Sequence, residues 1–146
     1  MREILFRGKT SDGEWICGHL LEQNIPDCHS YIVMSIIAEL DNRHIEIMDF
    51  DINEVIPETV GQFTGLTDKN GVKIFEGDIV RYGTNTNRAD NKEIHEVVFE
   101  TRGGSGYFGI RISEIETWNF CLEVPAKLME VIGNIHDNPG LLEGGE

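Results

Sequence analysis

Basic residues are the scarcest large class in this chain: 12 Lys and Arg stand against 26 Asp and Glu, for a formal net charge of −14. The deficit is not local. Residues 1–60 carry 4 basic and 12 acidic side chains, and residues 61–146 carry 8 and 14. Phosphate contacts supply most nucleic-acid affinity, so this balance weighs against a generic DNA or RNA binder. Cysteine is also rare. Cys17, Cys28 and Cys121 make an odd count in 146 residues, which argues against a disulfide framework and for reduced thiols in a cytoplasm. No apolar run approaches the ~20 residues of a membrane helix. Tyr31–Ala38 is the longest such run and reads as a buried strand. The opening Met1-Arg2-Glu3-Ile4 lacks the charged-then-apolar layout of a secretory leader, so a cytoplasmic protein with no membrane association is the expectation.

What is present is turn chemistry between short apolar segments. Asp12-Gly13 and Asn70-Gly71 are hairpin signals, and Asp41-Asn42 is another turn signal. The flanking segments predict strands over residues 3–7, 15–21, 31–38, 43–50, 59–66, 74–75, 79–82, 93–101, 107–112 and 127–135, with a second sharp turn at Glu76-Gly77-Asp78. Arg43–Phe50 alternates with period two, as a half-buried strand does. Residues 83–92 are polar and read as a loop, and Gly103-Gly104-Ser105-Gly106 as a hairpin tip. That glycine run lacks the Lys-Ser/Thr and the strand-to-helix context of a phosphate loop. Short strands with Gly-rich turns indicate a small barrel or sandwich.

Four stretches then match a known family in wording and order: Met1–Arg7, Val60–Gly71, Ile74–Val80 and Glu130–Pro139. On these the chain resembles the YopX family of small proteins encoded mostly by bacterial phages and prophages. Residues 83–124 match only in character, and Gly140 stands where the family usually has an acidic residue. The resemblance implies a mainly β (α+β overall) protein, with a small N-terminal α+β unit over 1–58 followed by an SH3-like β-barrel over 59–146. It implies no activity and no catalytic residues.

The residues themselves offer no clear catalytic set. Cys17, His19, Cys28 and His29 could supply four metal ligands, but they lack the knuckle spacing of structural zinc sites, and core cysteine with surface histidine is the plainer reading. Neighbouring Cys and His on a strand point to opposite faces, which weighs against a thiol nucleophile. Asp49, Asp51, Glu54 and Glu58 lack the calcium-loop pattern and read as a solvated acidic face. No cofactor is expected.

The expectation is therefore a non-enzymatic interaction module in a bacterial host cell, bound to a host or phage protein with a basic surface. Its contact surface would be Tyr82, Tyr107, Trp118 and Phe120, because SH3-like barrels bind through loop and edge aromatics. The alternative is a nucleic-acid-associated accessory using a local basic patch of Arg81, Arg88, Lys92, Arg102 and Arg111. Strand edges left free by a short barrel also give homo-oligomerisation a route.

Overall fold

The computed structural model describes residues 3–24, 26–82, 93–120 and 125–144. The chain is mainly β, with eleven strands among these residues, all paired antiparallel in two sheets, and one short helix. It divides into two units, Met1–Gln62 and Phe63–Glu146.

The first unit contains β1 (Phe6–Lys9), β2 (Trp15–Gln23), β3 (His29–Asp41) and β4 (His44–Val55). The strands lie in the order β4-β3-β2-β1, and Gly61-Gln62, at the start of β5 (Gly61–Thr67), pairs with the free edge of β1. Asp12-Gly13 makes the expected turn between β1 and β2, with Thr10 N–H donating to the Glu14 carbonyl at 2.8 Å. β2 alternates cleanly: Ile16 and Gly18 are buried, Cys17 and His19 exposed. Its inward face meets Ile32 and Val55, and these form the core of the unit with Phe6, Leu20 and Val60 against them. The described residues of this unit hold no α-helix, only a 3-10 turn at Pro57–Thr59. The α component expected for residues 1–58 is thus not found. Its segments are β-branched and carry period-two alternation, which suits a pleated strand and not a helical stripe.

The second unit contains β6 (Lys73–Phe75), which pairs with β5. Its other strands are β7 (Asp78–Tyr82), β8 (Glu93–Arg102), β9 (Ser105–Arg111), β10 (Thr117–Asn119) and β11 (Glu130–Asn134), arranged β10-β9-β8-β7-β11. This sheet is open, not a closed barrel. A five-residue helix, α1 (Gly140–Gly144), ends the described chain. The core gathers Ile74, Val80, Val97, Ile110 and Met129, the last four from strands or segments far apart in sequence.

Two buried carboxylates organise the turns of this unit. Asp78 accepts a 2.7 Å hydrogen bond from the Phe75 N–H and so caps the turn at Glu76-Gly77. Gly77 takes φ +89°, a conformation that costs a side-chain-bearing residue strain. Asp68 does more. Its Oδ1 accepts from the N–H groups of Asn70 (2.8 Å) and Val72 (2.9 Å), and its Oδ2 from that of Val131 (2.9 Å). The β5–β6 turn is thereby tied to β11, 63 residues away in sequence. Burial alone would raise the Asp68 carboxyl. The three N–H donors and the nearby Lys69 outweigh it and hold the carboxyl below its ordinary 3.8. Its contribution to stability is therefore complete above the unfolded-state value and is lost as pH falls through the lower folded value. The melting-temperature gap between wild type and Asp68→Asn is expected to be wide at pH 7 and to close as pH falls below 3.8. A gap that stays constant down to acid unfolding would refute the assignment. Glu76 behaves oppositely: burial, then the adjacent Glu96, raises its carboxyl.

Candidate functional site

β3 and β4 have 13 and 12 residues, about twice the ~5–6 typical of strands. β2 pairs with β3 only from His29 to Val33, so beyond Val33 the two long strands continue as a two-stranded ribbon. Asn42 and Arg43 close its tip with φ of 43° and 73°. Positive φ at both central residues is the signature of the turn whose twist suits a two-residue hairpin, as Asp41-Asn42 promised.

The ribbon has two chemically distinct faces, and two β-bulges create them. Side chains directly opposite one another lie on the same face. The register jumps from Val33↔Ile52 to Ser35↔Asp51, leaving Met34 as the extra residue on β3, and from Ile37↔Asp49 to Ala38↔Ile47, leaving Met48 as the extra residue on β4. Each extra residue reverses the alternation of its strand. One face consequently collects Val33 with Ile52, Ile36 with Phe50, Ala38 with Ile47, and Leu40 with Ile45. The other collects Ser35 with Asp51, Ile37 with Asp49, Glu39 with Glu46, and Asp41 with His44. Ile37 is the apolar exception on the acidic side.

The apolar face is open to solvent: Leu40 is 75% exposed, Ile45 72% and Phe50 61%. Leu21, half exposed on β2, extends it toward the base of the ribbon. Both strands were expected to be buried or half-buried, and neither is. Ile32 and Val55 are buried only because they sit at the root, within the four-stranded part of the unit. At that root, on the apolar side, Nδ1 of His29 lies 2.7 Å from Oε1 of Glu54. On the acidic side Asn53 Nδ2 donates to Asp51 Oδ1 at 2.7 Å.

Of the four aromatics expected from sequence to form a contact surface, Tyr82, Phe120 and Trp118 gather at one core cluster. Tyr82 and Phe120 are buried in the second core and are not surface residues. Trp118 and Tyr107 are half-buried. The Trp118 indole N–H donates to Glu116 Oε1 at 2.8 Å, and the Arg102 guanidinium lies 5.7 Å from the Tyr107 ring centre. Tyr82, the last residue of β7, and Phe120, directly after β10, pack among Ile74, Val80, Val97, Ile110 and Met129. The proposed basic patch fares similarly. Arg81 pairs with Glu130 (3.5 Å), and Arg111 with Glu96 (3.7 Å) and Glu100 (3.6 Å), so their charge is locally compensated. Arg88 and Lys92 lie outside the described residues.

Other chemistry is similarly sparse. Among the described residues no group of three or more His, Cys, Asp or Glu side chains could hold a metal ion. Cys17 and Cys28 are exposed, and Cys121 lies outside the described residues. A shallow groove lined by Ser11, Glu54, Val55, Ile56 and Pro57 offers one titratable group, Glu54, already engaged with His29. No described helix is long and apolar enough to cross a membrane.

Comparison with known proteins bears on the whole chain. Protein EF1440 from Enterococcus faecalis, a solved crystal structure, is 27% identical, with a TM-score of 0.64 over 97% of this chain and 99% of its own. No curated protein matches. The family model described as YopX protein matches residues 5–143, nearly the full length, and the chain belongs to the YopX family.

Proposed function

We propose that this protein is a non-enzymatic protein-interaction module, working in the bacterial host cell of a phage or prophage, and that the β3–β4 ribbon is its contact surface. One observation carries the reading: a projecting ribbon exposes a continuous apolar face and turns its carboxylates to the other side. A two-stranded hairpin standing alone in water is marginal, and a contiguous exposed apolar patch on a folded protein marks a place where something docks. YopX membership supports the phage setting. The SH3-like barrel belongs to this same reading. It is supported by the second unit's core, which draws side chains from β6, β7, β8, β9 and the segments beside β10 and β11, and so from strands of both sheets.

Ile45→Ser/Phe50→Ser in the full chain tests this reading. Both side chains are exposed, so the melting temperature is expected to stay within a few degrees of wild type. Purified protein is sedimented, and tagged protein is used for capture from nuclease-treated bacterial lysate. A stoichiometric association, with itself or with another polypeptide, present in wild type and lost in the variant supports the module. Equal association in both, no association in wild type, or association that disappears with nuclease overturns it.

A further inference from the structure

We infer that the occupant of the ribbon's apolar face is the same face of a second copy of this chain. This rests on the ribbon being a contact surface and goes further by naming the partner. The first argument is area. Ile36, Leu40, Ile45, Ile47, Phe50 and Ile52 are between 36% and 75% exposed. At roughly 180 Å² per large apolar side chain, they leave on the order of 600 Å² to cover. Two such faces bury about 1,200 Å² together, the lower end of a stable specific interface.

The second argument is charge. Each chain carries a net −14, which opposes self-association unless the carboxylates are kept apart. On the ribbon they are. The four cross-strand pairs of the apolar face, from Val33↔Ile52 to Leu40↔Ile45, contain no ionisable side chain, while Asp41, Glu39, Glu46, Asp49 and Asp51 point the other way. Two ribbons packed face to face, at the ~10 Å spacing of stacked sheets, would send all of these to solvent. A basic partner would instead choose the acidic side and leave the apolar one uncovered.

The third argument is symmetry. A two-fold contact needs a self-complementary patch, and a flat apolar ribbon crossing its own copy meets that condition. The bulges at Met34 and Met48 support this, since in unbroken register Ile36, Ala38, Leu40, Ile45 and Ile47 would share a face with Asp49 and Asp51, and Val33, Phe50 and Ile52 one with Ser35, Glu39 and Glu46.

The experiment is sedimentation equilibrium of the full chain over a wide concentration range, at low and high salt. Wild type is expected as a particle of twice 16.5 kDa with a micromolar dissociation constant, tightening as salt screens the residual repulsion. Phe50→Glu is expected to raise the constant at least 100-fold, and Glu39→Gln/Glu46→Gln to leave it unchanged or lower it. A wild-type monomer at 100-fold above micromolar concentration overturns the proposal. If such a monomer nevertheless captures another polypeptide through Ile45 and Phe50, the module stands and only the self-partner fails. A dimer indifferent to Phe50→Glu also overturns it and points to edge-to-edge pairing through β4. Near-unchanged melting of Phe50→Glu at concentrations where it is monomeric checks that the variant is folded.

Discussion

Asp68→Ala is expected to lower the melting temperature by on the order of 10 °C. The carboxylate accepts three backbone N–H bonds at 2.8–2.9 Å from two separate segments and is itself 3% exposed. Removing it leaves three donors short of a partner, at about 1–3 kcal/mol each where water cannot replace the lost acceptor, so a total of roughly 4 kcal/mol is reasonable. The loss has a specific location. Val131, the second residue of β11, lies opposite Val80 and belongs to the strand that completes one edge of the five-stranded sheet. Amide exchange at Asn70, Val72 and Val131 should accelerate together in the variant. Asp68→Asn keeps the shape but presents an amide N–H₂ to one of the donors, so it should fall between alanine and wild type. A melting temperature within 2 °C of wild type for Asp68→Ala would show that the carboxylate does not tie these segments together.

Gly18→Ala is expected to cost about 3 kcal/mol through overpacking. Gly18 lies in β2 beside β3, and a methyl built there would sit 2.3 Å from the Val33 carbonyl oxygen and 2.9 Å from Ile32 Cγ2. The nearer obstacle is backbone, so no rotamer change relieves it. Either β2 or β3 must shift, and the pairing of His19 with Val33 lies directly in the path. Val33 is also where the projecting ribbon leaves the sheet. The substitution should therefore loosen the root of the ribbon and reduce any association made through it, besides lowering the melting temperature. Gly140→Ala, where an added methyl meets open space, is the control and should be silent. Equal stability of the two variants would mean that the β2–β3 contact is more compliant than its geometry states.

These two positions differ in how far sequence alone reveals them. Asp68 was legible as part of Asp68-Lys69-Asn70-Gly71, a turn whose aspartate can accept hydrogen bonds from the N–H groups that follow. Nothing local announces that its second oxygen reaches Val131. That bond exists only because the core holds the two segments side by side. Gly18 has no sequence signature at all, since its requirement comes from a carbonyl on another strand.

The ribbon shows the same division. Its strands, its turn at Asp41-Asn42 and its apolar character were readable. The apolar positions 33, 36, 38 and 40 on one strand and 45, 47, 50 and 52 on the other each contain one spacing of three among spacings of two. That is the mark of a one-residue bulge in each strand, and it is the signal that could have found the continuous face. Burial, by contrast, was misread. An apolar strand is buried only if another element lies over it, and β2 ends its pairing at Val33. Conversely, Tyr82 and Phe120 read as surface aromatics because they fall near predicted strand ends, and the second core claims them.

The amino-acid sequence by itself determined the mainly β character, the turns and the family, because these rest on local backbone preference and on motif wording. Tertiary structure alone decided which apolar residues became core and which became an exposed face. Exposure is set by what lies opposite a side chain in space, and neither spacing nor residue type carries that information.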